Sequence, residues 1–298
     1  GLGDVYKRQD TRISVYGFII VISCFLQAMF GVVQFFGFFQ ISTTLWVTGS
    51  FDNPAGFAAC LCAGFPFVGF LLSDSNKYIR YVGGLIGFVI VIAVILSQSR
   101  AGIMSIAFIC FILLNMKFFH KRWVKYLSLL CFALLLSGCY WMKKDSADGR
   151  LLIWRCSVSM VKDAPWLGHG IGSFEARYMD YQADYFRQYG LNRYSMLADN
   201  VKHPFNEYLG VLLNFGFVGL LMILALITLL IYCYKKHPCA EKRIAFYSLI
   251  SIGVFSFFSY TFTYPFTWIV TFLCIIILTK EYICLLYTSD AADDRISV

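Results

Sequence analysis

Long apolar segments recur along this chain, and they constrain its fold more than any other feature. A helix needs about 20 mostly apolar residues to cross a bilayer. Eight segments are candidates for this role: Tyr16–Phe39, Ala55–Leu72, Tyr81–Leu96, Ala101–Met116, Tyr126–Met142, Leu209–Tyr234, Ile244–Phe262 and Phe266–Thr279. The sequence therefore predicts an all-α fold, a polytopic membrane helix bundle with about eight transmembrane helices.

The composition supports this fold class. Of the 298 residues, 59% are hydrophobic and 14% are charged, whereas a soluble domain has about 25% charged residues. These values exclude a disordered chain, a nucleic-acid binder with a basic face and almost any soluble enzyme. We therefore expect the lipid bilayer as a partner and no nucleic acid.

The net charge of +8 is concentrated in alternate short loops. Ser73–Arg80, Lys117–Lys125 and Lys235–Arg243 are rich in lysine and arginine, while Gln40–Pro54 and Thr263–Pro265 have none. Cytoplasmic loops of membrane proteins carry such an excess of basic residues. The alternation therefore predicts that the long loop 143–208 lies on the extracytoplasmic side.

The predicted organisation follows from these segments. Residues 15–142 form transmembrane helices 1–5, residues 143–208 form the extracytoplasmic loop with its short helices, and residues 209–283 form transmembrane helices 6–8. Residues 1–14 read as a non-native or cytoplasmic end and residues 284–298 as a non-native tail, because both resemble translated sequencing adapters. We expect the natural protein to extend further at its N-terminus.

The long loop contains two predicted helices. Gly149–Asp163 reads as a short helix that ends at a proline and a series of glycines. An aromatic stripe follows at helical spacing: Phe174, Tyr178, Tyr181, Tyr185 and Tyr189. The favoured interpretation is a helix resting on lipid headgroups or on the ends of the spans, and the alternative is a surface that stacks on sugars.

Two arginines are candidates for binding an anion. Arg100 is the only basic residue in a short external loop. The less favoured alternative is an arginine that anchors a helix end. Arg150 is predicted near a helix N-terminus, where a guanidinium and free N–H groups would favour a diphosphate. The alternative for Arg150 is a plain surface residue, and Arg155 is the weaker candidate because it points to another side of the helix.

Histidines supply the candidate base. His203 stands where the long loop re-enters the membrane, and a histidine of near-neutral pKa suits proton abstraction from a hydroxyl. Asn206 or Glu207 could orient it or the acceptor. An equally weighted alternative is a helix-entry motif that uses Pro204, Asn206 and Glu207. His169 lies between glycines and is favoured as a turn residue over a substrate contact.

Asp180 and Asp184 share one helical face, and each has an arginine nearby, Arg177 or Arg187. A solvated ion-pair face is the favoured interpretation over a cation site. No sequence motif for a metal site is present, and no cofactor is expected.

Several patches together resemble motifs of the O-antigen ligase/polymerase superfamily. The likeness covers about Ser42 to Glu281 and rests on the order of the patches around one large outer loop. They are Thr48–Pro54, Ser97–Gly102, Gly149–Trp154, Asp163–Phe174 and His203–Leu209, followed by Gly216 and Gly219.

The resemblance implies a metal-independent membrane glycosyltransferase at the outer face of the bacterial inner membrane. Its donor would be a glycan linked to polyprenyl diphosphate, and its acceptor a hydroxyl of lipid A-core (ligase) or of another repeat unit (polymerase). By the same resemblance, Arg100 and Arg150 would hold the donor diphosphate and His203 would be the acceptor base. Family members often have this histidine directly before the asparagine, where this chain has Phe205.

Four further residues are predicted substrate contacts: Arg155, Asn206, Glu207 and His169. The alternative function is a transporter or flippase for a lipid-linked glycan. We disfavour it because mid-span positions carry almost no charge and no internal repeat is visible in the sequence.

Overall fold

The computed structural model of the chain describes residues 2–38, 47–117, 122–142 and 144–293. The side chains of residues 1–14 and 281–298, which include both predicted non-native ends, lie outside this description. So do residues 39–46, 118–121 and 143, which belong to three of the predicted loops except for Phe39, the last residue of the first predicted span.

The regular secondary structure of the described ranges is helical, with no strand, which confirms the predicted all-α class. The helices are α1 (Leu2–Phe35), α2 (Pro54–Gly64), α3 (Val68–Leu72), α4 (Lys77–Leu96), α5 (Arg100–Lys117), α6 (Arg122–Met142), α7 (Lys144–Asp163), α8 (Ser173–Tyr189), α9 (Glu207–Lys236), α10 (Ala240–Phe258) and α11 (Pro265–Asp293). Short 3₁₀ turns occupy Phe65–Phe67, Ser195–Leu197 and Thr261–Thr263.

Most of the predicted spans coincide with apolar helices. By length and composition, four described helices can cross a membrane: Val15–Phe35, Pro54–Leu72, Lys77–Leu96 and Glu207–Lys236. Arg100–Met116 and Pro265–Lys280 are shorter apolar helices. The two other predicted spans, Tyr126–Met142 and Ile244–Phe262, lie in α6 and α10, although α10 already ends at Phe258.

The chain divides into two compact units. The first comprises Gly1–Ser97, Ile227–Ile252 and Tyr264–Val298, and the second comprises Gln98–Leu226 and Gly253–Thr263. In the first unit α2 is the buried centre, packed by α1, α4 and α11. The Asn53 side chain caps α2 by accepting a hydrogen bond from the Gly56 amide, and Pro66 lies in the 3₁₀ turn that separates α2 from α3.

In the second unit α5 packs on α6, and α7 packs on α6 and α8. Its core is an apolar cluster built mainly from α7 and α8: Leu152, Ile153, Cys156, Met160, Phe174, Tyr178, Tyr194 and Leu213. This cluster fixes the faces of α7 and α8 on which most of the candidate residues lie.

The start of α7 corrects one prediction. The helix begins at Lys144 rather than at Gly149, so Arg150 lies in its second turn and not at its N-terminus. A glycine inside a helix costs only about 1 kcal/mol. Asp145 in the first turn favours the earlier start because a carboxylate stabilises the positive end of a helix.

Helix α9 is broken at Gly216, and the backbone of the loop after α7 is hydrogen-bonded to the backbone of α9 on both sides of the break. Gly216 has left-handed backbone angles (φ 61°, ψ −159°), and a Cβ there would collide with the Trp166 backbone. Four main-chain hydrogen bonds of 2.7–3.2 Å join the two segments: His169 N to Leu213 O, Gly170 N to Asn214 O, Phe217 N to Pro165 O and Val218 N to Trp166 O. Non-helical backbone in an apolar span is tolerated when protein groups satisfy it in this way.

Candidate active site

Two predicted anion-binding arginines line one cavity of about 270 Å³ in the second unit. Arg100 is the first residue of α5, and Arg150 comes from α7. The other lining residues are Met104, Tyr140, Ala147, Leu151, Trp154 and Phe258. Among the described residues that line this cavity none is acidic, so its fixed charges are two cations.

Arg150 is held by two contacts. Its Nη1 donates a hydrogen bond of 2.6 Å to the carbonyl of Phe258, the last residue of α10. A cation is stabilised at a helix C-terminus by such carbonyls. The guanidinium also lies over the Phe205 ring, 5.0 Å from its centre, which is within cation–π range.

Burial and the charge of Arg100 lower the pKa of Arg150 to about 10, and Tyr260 opposes the shift. Arg150 therefore remains a cation at neutral pH. Arg100 itself donates a hydrogen bond of 2.8 Å to Ser146 at the start of α7. An anion between the two guanidiniums would relieve their mutual repulsion.

His203 does not line this cavity. Its ring stacks on Tyr260 with centres 4.7 Å apart, and Tyr260 meets the edge of Phe205 at 5.3 Å. The Phe205 ring in turn contacts Arg150. Burial and nearby Lys202 lower the pKa of His203, while Glu175 raises it, and the net effect favours the neutral ring.

Asn206 and Glu207 bond to backbone at the start of α9. Asn206 is buried, and its Oδ1 accepts from the Leu209 amide at 3.0 Å, as an N-cap does. A carboxylate oxygen of Glu207 accepts from the Phe262 amide at 2.8 Å. These contacts correspond to the helix-entry alternative of the sequence analysis, with Pro204 before the helix rather than in its first turn.

Both ring nitrogens of His169 have partners within the chain. Nδ1 lies 3.0 Å from Arg177 Nη1, and Nε2 lies 2.7 Å from the Met160 carbonyl oxygen. Because arginine only donates, Nδ1 accepts from Arg177 and Nε2–H donates to Met160. His169 thus connects the turn after α7 to both α7 and α8.

A second, larger cavity of about 670 Å³ lies between α7 and α8 and contains Arg155. The aromatic stripe of α8 divides at this cavity. Phe174 and Tyr178 are buried in the apolar cluster, whereas Tyr181, Tyr185 and Tyr189 line the cavity. We call this cavity the α7/α8 groove.

Of the acidic pair Asp180 and Asp184 on α8, Asp184 forms the predicted ion pair. Asp184 forms an exposed ion pair of 2.7 Å with Arg187. No cluster of histidine, cysteine, aspartate and glutamate suited to a metal ion occurs among the described residues.

Sequence reasoning missed three contributors to the site. They are the Phe258 carbonyl, the Tyr260 ring and Trp154, which lines both cavities. Trp154 stands in a patch that carried the family resemblance, but no pattern assigned it a role. A main-chain carbonyl at a helix end gives no signal in a sequence.

Comparison with known protein families supports the resemblance seen in the sequence. The sequence model of the O-antigen ligase family matches residues 85–224, and this range includes every predicted site residue. No curated protein matches the chain significantly. The resemblance seen in the sequence is thereby confirmed, because residues 85–224 match the O-antigen ligase family.

Proposed function

We propose that the chain transfers a glycan from a polyprenyl-diphosphate donor to an acceptor hydroxyl, as a metal-independent ligase or polymerase of surface polysaccharide. Arg100 and Arg150 bind the diphosphate in this proposal. The observation that carries it is the cavity that both arginines line, with no acidic residue among its described lining.

The size and chemistry of this cavity suit a diphosphate. Its volume of about 270 Å³ is below the usual 300–1,000 Å³ of pockets for drug-sized ligands, which fits a compact anionic group. Guanidinium groups bind phosphate oxygens through paired, charge-assisted hydrogen bonds. The lipid chain and the glycan of the donor would extend beyond the cavity.

In the proposed transfer step each bond that forms is matched by one that breaks, and no metal takes part. The acceptor oxygen forms a bond to the anomeric carbon of the glycan, and the bond from that carbon to the diphosphate oxygen breaks. The electron pair leaves with polyprenyl diphosphate, whose added charge the two arginines stabilise. His203 accepts the hydroxyl proton, and its lowered pKa supports this role because a base must be neutral to act.

The remaining assignments complete the proposal. The chain would lie in the bacterial inner membrane with the region 143–208 on the extracytoplasmic side. Arg155, Asn206, Glu207 and His169 would contribute to the substrate site, the latter three by positioning backbone and neighbouring side chains. The acceptor would be a lipid A-core or a growing glycan.

The test is a transfer assay with the purified full-length protein, the lipid-linked donor and each acceptor in one detergent solution. Arg100→Ala and Arg150→Ala should each lower the rate about 100-fold or more, the loss typical of removing one transition-state donor. Arg122→Ala is the matched control because Arg122 is an exposed arginine at the start of α6 that does not line either cavity of the second unit. It should keep the full rate.

Because Arg150 also bonds to the end of α10, its loss could unfold the chain. The elution volume in size-exclusion chromatography and the thermal unfolding of each variant report whether it is folded. Undiminished transfer by folded Arg100→Ala and Arg150→Ala variants would overturn the proposal. Absence of transfer by the wild-type protein in detergent, together with glycan movement across vesicles, would establish the transporter instead.

A further inference from the structure

We propose that the α7/α8 groove is a glycan-binding site, formed by the tyrosines of α8 and Trp154 of α7. It would hold the sugar rings of a substrate whose reacting end lies in the arginine cavity. This deepens the proposed function and rests on it only for the class of ligand.

The groove presents aromatic rings in a row. Tyr181, Tyr185 and Tyr189 recur every four residues on one face of α8, so they span about 12 Å along the helix. Tyr185 and Tyr189 have ring centres 4.9 Å apart. Sugar rings have apolar C–H faces that pack on such rings, and the length suits a short oligosaccharide.

Tyr181, Tyr185 and Trp154 are held in place by hydrogen bonds within the chain, and Tyr189 packs on Tyr185. Tyr181 donates a hydrogen bond to Asp163 at the end of α7, and Arg155 donates to the Tyr185 hydroxyl at 3.4 Å. The indole N–H of Trp154 donates to the Pro204 carbonyl at 3.0 Å. A binding surface fixed in this way loses little side-chain entropy when a ligand arrives.

The groove also supplies the polar groups that sugar hydroxyls require. Arg155 and Lys162 donate, Asp184 accepts, and Gln188 does both. A helix face that rests on lipid headgroups would point away from the protein, whereas these tyrosines face α7 across a cavity of about 670 Å³ with both polar and apolar lining residues. The arrangement therefore favours a glycan over lipid.

The groove and the arginine cavity are neighbours within the second unit. Leu151 and Trp154 line both of them, so the two cavities adjoin at these side chains. A diphosphate-linked glycan or an acceptor glycan would satisfy this geometry equally well.

The experiment measures the binding of two soluble oligosaccharides to the full chain in nanodiscs by isothermal titration calorimetry. One is the repeat-unit oligosaccharide released from the lipid diphosphate by mild acid, and the other is the core oligosaccharide of deacylated lipopolysaccharide, both from the host of the gene. Tyr189→Ala should weaken the binding of at least one probe about tenfold. The affected probe identifies whether donor glycan or core acceptor occupies the groove.

Tyr189 suits this test because its side chain is largely exposed, so truncation leaves the core intact. Tyr189→Phe, which keeps the ring, should retain most of the affinity. Met179→Ala is the control on the same helix, since Met179 is exposed and lies outside the groove. It should bind both probes as the wild type does.

The proposal is overturned if neither oligosaccharide binds, or if Tyr189→Ala binds both with wild-type affinity. It is also overturned if a photoreactive phenylalanine at position 189 cross-links to nanodisc lipid and not to either oligosaccharide. Failure of the transfer function is a separate result, because it is measured with the Arg100 and Arg150 variants, which leave the groove unchanged.

Discussion

The guanidinium of Arg150 lies 5.0 Å from the centre of the Phe205 ring, and Phe205 immediately precedes the buried N-cap Asn206 in the sequence. Phe205 has a left-handed backbone (φ 52°), which turns the chain immediately before α9. This conformation brings an aromatic face to an arginine that also bonds to the end of α10. The Phe205 ring is therefore a positioning contact for Arg150.

Replacing Phe205 tests this contact. Phe205→Leu keeps an apolar side chain with the same backbone cost but removes a cation–π contact worth about 0.5–2 kcal/mol. We expect transfer to fall about three- to tenfold, measured with purified protein. Phe205→Tyr keeps the ring and should stay near the wild-type rate. Equal rates for both variants would show that the ring does not position Arg150.

The pH dependence of transfer tests His203. Burial and Lys202 lower its pKa, with Glu175 opposing, so the midpoint of the acid limb should lie below the ordinary value of about 6.5. The rate should fall as pH decreases through that midpoint, because protonation removes the base. His203→Gln should be slow at every pH and lack this limb. An unchanged limb in His203→Gln would assign it to another group.

Gly216→Ala tests the break in α9. The new Cβ would collide with the Trp166 backbone, and alanine would have to adopt a left-handed conformation. The conformation alone costs about 1–3 kcal/mol, so the apparent Tm should fall by several degrees. Gly210→Ala is the matched control, because its nearest new neighbour would be the Pro204 side chain at 3.7 Å. Equal stability of the two variants would contradict the assigned strain.

His169 and Arg177 can be tested as a pair. His169→Ala removes two hydrogen bonds, and we expect a loss of about 1–3 kcal/mol in the free energy of unfolding. Arg177→Ala removes one of the same bonds, so the double variant should lose less than the sum of the two. Thermal unfolding of the three variants measures this. Strict additivity would mean that the two side chains do not interact in solution.

The sequence was sufficient for the fold class and for most helix positions, because apolar length is a local property. It also selected Arg100, because a basic residue is unusual in a short external loop. Arg150 was selected for a place at a helix N-terminus, which the structure corrects. It could not place Phe258 and Tyr260 beside them, because those contacts join residues about a hundred positions apart. The start of α7 was wrong because Gly149 was read as a boundary, whereas one helical glycine costs little.

The aromatic stripe shows a second limit. Its spacing predicts one helical face correctly, but periodicity does not reveal what covers that face. Phe174 and Tyr178 are covered by the apolar cluster, while Tyr181, Tyr185 and Tyr189 border a groove. The choice between the interfacial interpretation and the sugar-stacking alternative therefore depends on the position of α7, which periodicity does not give.

The connection between the loop after α7 and the broken α9 has an evolutionary consequence. All four of its hydrogen bonds join main chain to main chain, so replacing a side chain does not remove a bonding partner unless proline is introduced at a donor. Constraint falls instead on Gly168 and Gly216, where any Cβ would meet the opposing backbone. Related chains can therefore diverge at the other positions of this connection and still retain its geometry, provided that these two glycines remain.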